Sequence, residues 1–226
     1  MKVNRNISSK TWTIIILIII ISLILLVPFE KLQPAIIGAV VSKVFVYGMS
    51  INATCNISLV EGWNLISTPC LGSNSSLLAV LSPIEGNYIS IHAYNESDTK
   101  DPWKSYNPNL PTQVVQDLSD ISREKGYWIN MEANYSLFIN GTRIWPAFIS
   151  LEEGWNLVGY TNNNTKNTTN VLSSISGAYT IIWAYNASDA SYVFYNPSLG
   201  TGTLTEIKPY WGYWINMSSD ANWRIT

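Results

Sequence analysis

The chain has 226 residues, of which 12% are charged and 12% aromatic, with a formal net charge of -2 at pH 7. So many aromatic side chains with so little charge exclude a disordered chain. The thirteen Lys and Arg are scattered without a run, which excludes a nucleic-acid-binding patch. An uncharged, Ile-rich stretch from Trp12 to Phe29 comes first. At ~1.5 Å per residue it nearly spans a ~30 Å hydrocarbon core. Lys2, Arg5 and Lys10 precede it, so the positive-inside tendency keeps residues 1–11 cytoplasmic and sends the rest outside. Residues 12–29 are therefore expected to be a signal anchor, a single-pass membrane helix longer than the ~7–15 residue core of a signal peptide. The alternative is a secreted product, with Gly38-Ala39 as an imperfect cleavage site. Residues 30–50 read as a connector, in which Val44–Tyr47 has the content of a strand.

Two stretches then carry the same landmarks in the same order, about ninety residues apart, a spacing suited to small domains. The first, residues 51–140, contains Gly62-Trp63-Asn64-Leu65, Ala93-Tyr94-Asn95, Tyr106-Asn107-Pro108 and Gly126-Tyr127-Trp128-Ile129-Asn130-Met131. The second, residues 147–226, contains Gly154-Trp155-Asn156-Leu157, Ala184-Tyr185-Asn186, Tyr195-Asn196-Pro197 and Gly212-Tyr213-Trp214-Ile215-Asn216-Met217. Each copy predicts a strand ending at Glu-Gly (Glu61-Gly62, Glu153-Gly154), a tight hairpin turn, and a return strand. A short helix follows, with Leu77, Leu78, Val80, Leu81 and Ile84 as apolar face in copy one and Val171, Leu172 and Ile175 in copy two. Ser, Asn and Thr upstream supply N-caps. Next come a strand (Tyr88–Tyr94, Tyr179–Tyr185) and another that stops at Asn-Pro, since Pro has no amide for the ladder. A second helix is expected over Gln113–Ile121, shortened in copy two to Thr201–Ile207, before the closing strands at Gly126–Met131, Gly212–Met217, Tyr135–Ile139 and Trp223–Ile225. The fold class is mainly β with short helices (α+β): two tandem, similar sheet or sandwich modules, with Asn140–Ala147 connecting them.

Cys55 and Cys70 flank the first Trp-containing hairpin, so pairing of its strands brings them within disulfide reach. Copy two has no matching cysteines. Asn-X-Ser/Thr sequons beyond the membrane segment begin at Asn52, Asn56, Asn74, Asn95, Asn134, Asn140, Asn163, Asn167, Asn186 and Asn216. They mark candidate glycans of an exported chain. Asn95 and Asn186 fall at the same point of the two copies, in turns that carry a bulky group without unpacking a core.

The single histidine, His92, stands where copy two has Trp183 and reads as a packing position. No Gly-X-Ser-X-Gly elbow accompanies it. Asp98 and Asp101 near Asn95 lack the length and Gly placement of a calcium loop, and copy two keeps only Asp189. No metal, catalytic residue or cofactor is expected. The aromatics present in both copies (Trp63/Trp155, Tyr88/Tyr179, Tyr94/Tyr185, Tyr106/Tyr195, Tyr127/Tyr213, Trp128/Trp214) read as core. Trp214 is the exception. It shares a strand face with Asn216, and a used sequon there requires an accessible face with Trp214 at least half exposed. Trp128 and Trp214 are thus the candidates for sugar stacking.

The ordered landmarks resemble the tandem "GWNL…GYWI" modules of archaeal and bacterial cell-surface proteins, over residues 55–226. The resemblance implies an extracytoplasmic, surface-layer-associated module without catalytic residues. Duplication points the same way, because an active site rarely needs two copies of everything. The expected function is a membrane-anchored, non-enzymatic surface glycoprotein with a structural or adhesive envelope role, its partners the membrane through residues 12–29 and envelope proteins or glycans. The alternative is a carbohydrate-binding module using exposed Trp and Tyr. A third reading has residues 40–51 donated to another subunit's sheet, making a filament or layer subunit. A carboxylate-dependent glycosidase stands last, because no acid pair recurs.

Overall fold

The computed structural model describes residues 48–226 except Thr112. The expected cytoplasmic residues 1–11, anchor 12–29 and Val44–Tyr47 strand lie outside the described residues. Among the described residues no helix is long and apolar enough to cross a membrane. The chain is mainly β, with several small sheets and few helices.

In the first half, strand β1 (Met49–Leu59) leads to β2 (Gly62–Ser67), helix α1 (Leu77–Leu81), a 3-10 turn (Ser82–Ile84), β3 (Tyr88–Tyr94), β4 (Trp103–Tyr106), β5 (Gly126–Met131) and β6 (Tyr135–Trp145). The second half runs β7 (Ala147–Leu151), β8 (Gly154–Gly159), β9 (Lys166–Asn167), α2 (Thr168–Val171), a 3-10 turn (Ser173–Ile175), β10 (Tyr179–Asn186), β11 (Ser191–Asn196), β12 (Thr201–Gly202), β13 (Glu206–Ile207), β14 (Gly212–Met217) and β15 (Ala221–Ile225). One antiparallel sheet has the order β2-β5-β3-β4 and the other β8-β14-β10-β11-β12, with β1-β6 and β7-β15 as two-stranded ribbons.

Alternation along the strands places one core in each half. Ile57, Leu59 and Leu137 from the first ribbon meet Ile91, Ile129 and Met131 of the sheet, with Leu77, Val80, Leu81 and Ile84 from the helical segment. Ile149, Leu151, Trp223 and Ile225 meet Ile182, Tyr213 and Ile215 in the second, with Val171, Leu172 and Ile175. Leu78, expected on the buried helix face, is exposed because a five-residue helix buries only a narrow stripe. Asn167 caps α2, its Oδ1 accepting from the Thr169 and Asn170 amides, whereas Ser76 makes no side-chain cap for α1.

Three expectations need correction. The Glu-Gly turns do not close hairpins: β1 pairs with β6 and β2 with β5, and β7 and β8 likewise part to β15 and β14. The cause is a side chain. Asn64, 2% exposed, accepts the Val60 amide at 2.9 Å and donates to the carbonyls of Val60 at 2.7 Å and Gly62 at 3.0 Å. Those groups are thereby withdrawn from a ladder, and Gly62 takes φ +83°. Asn156 repeats the bracket on Glu152 and Gly154 at 3.0, 2.7 and 3.1 Å. Cys55 and Cys70 do form a disulfide, Cα–Cα 5.9 Å, but it links β1 to the segment beyond β2, across two sheets.

Second, residues 113–121 are not helical. They cover the outer edge of β4: the Asp117 carboxylate accepts the Ser105 amide, the Gln116 side chain accepts the Asn107 amide, and the Leu118 amide donates to the Ser105 carbonyl. An unpaired sheet edge outweighs helix propensity there. Residues 201–207 form β12 and β13 for the same reason, pairing with β11 and β9. Third, the expected connector Asn140–Ala147 is mostly strand, because β6 runs on to Trp145 and leaves only Pro146 before β7. Its last residues, Arg143–Trp145, pair with Met49–Ile51, so the described end of the 40–51 segment lies in its own chain's ladder.

Candidate functional site: paired aromatic clefts

The sheets' second faces carry the site. In Gly126–Met131, Tyr127, Ile129 and Met131 point into the core, so Trp128 and Asn130 must face away. Tyr127 is fixed from within, its hydroxyl accepting the Ser122 amide at 2.7 Å, as Tyr213 accepts that of Lys208 at 2.7 Å. Trp214 and Asn216 face away in the same manner. On the neighbouring strands the buried Asn64 and Asn156 turn Trp63 and Trp155 outward. Each is directly opposite an Asn of the motif strand, Trp63 across from Asn130 and Trp155 across from Asn216.

The halves join so that each completes the other's aromatic face. The Ser67 amide donates to the Tyr210 carbonyl at 2.8 Å, and the Gly159 amide donates to that of Glu124 at 2.8 Å. A Cβ on Gly126 would fall 2.9 Å from the Val158 carbonyl oxygen, and one on Gly212 would fall 2.8 Å from that of Ile66. Only glycine allows this approach, which buries Leu65 and Leu157 at the joint. The tip of the β3–β4 hairpin reaches across as well, with the Ser97 hydroxyl donating to the Glu152 carboxylate at 2.5 Å.

Two clefts result. One, about 460 Å³, is lined by Trp63, His92, Trp103 and Trp128 and closed by Tyr185, Ala190 and Tyr192. The other, about 470 Å³, is lined by Trp155, Trp183, Trp214 and Tyr192 and closed by Tyr94 of the first half. Their ring geometry repeats. Trp63–Trp128 and Trp155–Trp214 both have centroids 6.1 Å apart at 86°. Trp128 meets Tyr185 at 5.2 Å, and Trp214 meets Tyr94 at 5.1 Å. Trp103 and Tyr192 hold equivalent places, opposite Tyr94 and Tyr185 in the hairpin registers. Edge-on contacts make the walls corrugated rather than flat.

Exposure reverses part of the sequence reading. Trp63 (43%), Trp155 (42%), Trp103 (46%) and Tyr192 (59%) are the open rings, while Trp128 and Trp214 are partly buried and Trp214 falls short of half exposure. Tyr88, Tyr179, Tyr127 and Tyr213 are core as expected, whereas Trp63, Trp155, Tyr94 and Tyr185 are not. Trp103, Trp183 and Tyr192 were missing from the candidates; the signal for them was strand alternation counted outward from a buried neighbour.

Among the described residues no carboxylate, Lys or Arg lines either cleft. His92 is the one ionisable group besides tyrosines that the described residues place there; burial lowers its pKa below the usual 6.5, and its Nε2 lies 3.0 Å from the Ser90 hydroxyl. The clefts can therefore take a neutral ligand with apolar faces, held by contact and by indole N–H and hydroxyl groups. Lys104 occupies the middle of the acidic cluster considered for a cation, with Nζ 2.9 Å from Asp98, 3.3 Å from Asp117 and 3.6 Å from Asp101. Its hydrogen bond holds the Asp98 pKa below the usual carboxylate range. Among the described residues no group of His, Cys, Asp or Glu is placed to hold a metal ion.

Seven sequon asparagines are exposed: Asn52, Asn56, Asn74, Asn134, Asn140, Asn163 and Asn167. Asn95, Asn186 and Asn216 are partly buried. The fully buried Asn64, Asn156 and Asn162 belong to none. No family model, curated protein or solved structure matches the chain.

Proposed function

We propose that the chain is a non-enzymatic, membrane-anchored cell-surface protein that binds neutral carbohydrate in its two aromatic clefts. The observation that carries this reading is the paired exposure of Trp63 and Trp155, each set edge-on against a partly buried Trp on a rigid strand. Large indoles held open to water in equivalent places lose burial free energy of about 25 cal/mol per Å², which a purely structural surface has no reason to forgo twice. Sugar rings present C–H faces to aromatic walls and hydroxyls to indole N–H groups, and need no ionised side chain.

The motifs' resemblance to surface-layer-associated modules supports an envelope location, with residues 12–29 as the anchor. Accessible sequons support a glycoprotein. The chain is then two copies of one binding unit, each closing the other's cleft, and an adhesive role follows if the bound glycans belong to neighbouring envelope components.

A glycan array probed with the detergent-solubilised full chain tests this. Specific binding is expected, weakened at least about tenfold by Trp63→Ala, a loss of roughly 1.4 kcal/mol, with the melting temperature kept. Absence of any bound glycan overturns it, as does binding indifferent to that substitution.

A further inference from the structure

We infer that the cleft of Trp155 and Trp214 is filled by the chain's own N-linked oligosaccharide, carried on Asn216, leaving the Trp63 cleft for an external ligand. This rests on the reading of the clefts as carbohydrate sites and assigns them different occupants.

Asn216 lies on the cleft face of β14, two residues after Trp214 and directly across from Trp155 in the ladder. Opposite residues in an antiparallel pair have Cβ atoms roughly 4.5–5.5 Å apart. The first sugar on Asn216 would thus begin within reach of the Trp155 ring, with no flexible turn between them. Asn186 is on the opposite strand face from Trp183 and Tyr185, so its sequon does not share this placement.

A second observation points to the same atom. The Thr180 hydroxyl donates to Asn216 Oδ1 at 2.9 Å, which fixes the amide plane. Nδ2, the atom that accepts a sugar, makes no hydrogen bond among the described residues. The first half lacks both features together. Asn130 is followed by Met131 and Glu132, which is not a sequon, and Ile89 follows Tyr88 where Thr180 follows Tyr179. Ile89 is 38% exposed and offers Asn130 no hydroxyl. The scaffold is the same on both sides. Only the second half has the acceptor asparagine, the sequon hydroxyl of Ser218 and the threonine that presents the amide.

The modification needs a lipid-linked oligosaccharide, a sugar on a polyprenyl phosphate or pyrophosphate, and a membrane transferase. A bond forms between the anomeric carbon and Asn216 Nδ2 as the anomeric C–O bond to the donor phosphate breaks. The amide loses one proton, and the phosphorylated lipid leaves with the bonding electrons.

The test uses full-length protein from its native host, wild type and Ser218→Ala, which removes the sequon while leaving the Thr180–Asn216 contact. Glycopeptide mass spectrometry reads occupancy, and hydroxyl-radical footprinting reads each tryptophan. The wild type is expected to carry glycan on Asn216. Oxidation of Trp155 and Trp214 should rise several-fold in Ser218→Ala, with Trp63 unchanged. Asn216→Gln should reproduce this and guards against a folding defect in one variant. A bare Asn216, or a glycan present with equal Trp155 oxidation, overturns the inference. Binding of free glycans is measured alongside. If the Trp63 cleft binds them while Asn216 is bare, only the inference falls; if Asn216 shields Trp155 but no glycan is captured, it is the external-ligand reading that fails.

Discussion

The two halves agree where the backbone has no choice and differ where a side chain sets the use of the cleft. The Asn64 and Asn156 brackets match to within 0.1 Å at each of three hydrogen bonds. Gly62 and Gly154 both take positive φ, and Gly126 and Gly212 both sit where the other half's backbone excludes a Cβ. Against this common frame the first half alone has the disulfide, His92 and Glu132, and the second alone has the Asn167 cap, Trp183 and Ser218. Shared residues therefore report the fold and its joint, and unshared ones report what each half was fitted for.

The largest expected effect breaks the comparison at the disulfide. Replacing Cys55 and Cys70 together by Ser opens a loop of 15 residues, which costs about 3 kcal/mol in the chain-entropy description. Hydrogen exchange should show faster opening of the first core, with the second half protected nearly as before. Equal loss in both halves would mean that they unfold as one unit. A smaller and symmetric effect is expected at the brackets. Asn64→Ala and Asn156→Ala each leave one main-chain amide and two carbonyls short of a partner in a partly buried turn, for about 2 kcal/mol. Denaturant titrations should give matching losses, and a cost at only one position would show that the turns are not equivalent. Gly212→Ala pushes a methyl at the Ile66 carbonyl and should cost about 1–2 kcal/mol as an overpacked joint. Gly126→Ala should weaken carbohydrate binding along with it, since both clefts depend on how the halves meet.

Much of this was legible in local sequence. Gly126-Tyr127-Trp128 gave a strand whose Tyr and Trp are adjacent, so both cannot enter one core, and the outward Trp follows from alternation. The same count applied at Trp63-Asn64 would have turned Trp63 outward, had the buried role of Asn64 been seen; a polar residue beside a large aromatic usually suggests the reverse assignment. Pairing of β1 with β6 was not legible, since Leu59 meets Tyr135 across a separation that no local pattern encodes. Residues 113–121 misled for a related reason: the β4 edge that they cover is a tertiary demand. Gly126 and Gly212 are contact points between the halves, a role that a glycine opening a strand does not announce in local sequence.

The smallest expected effect concerns the residue that most distinguishes the two clefts. His92 occupies the place of Trp183, and burial holds its pKa below the ordinary 6.5. The folded chain therefore prefers the neutral ring, packed 5.6 Å from Trp63 with the Ser90 hydroxyl as its polar neighbour. A depressed histidine pKa gives stability that is fully present above 6.5 and is lost as pH falls through the folded value, because the unfolded state then binds the proton more readily. The carboxylates of Asp98 and Asp117, also depressed, lose their contribution only below about 3.8, so the two windows separate. Stability followed by denaturant titration should decline on going from pH 7 to pH 5 in the wild type. In His92→Trp, which copies the second cleft into the first, that decline should vanish, and carbohydrate binding at the Trp63 cleft should become independent of pH over the same interval. A decline unchanged by the substitution would place its origin elsewhere in the molecule and leave His92 as one more wall of the cleft.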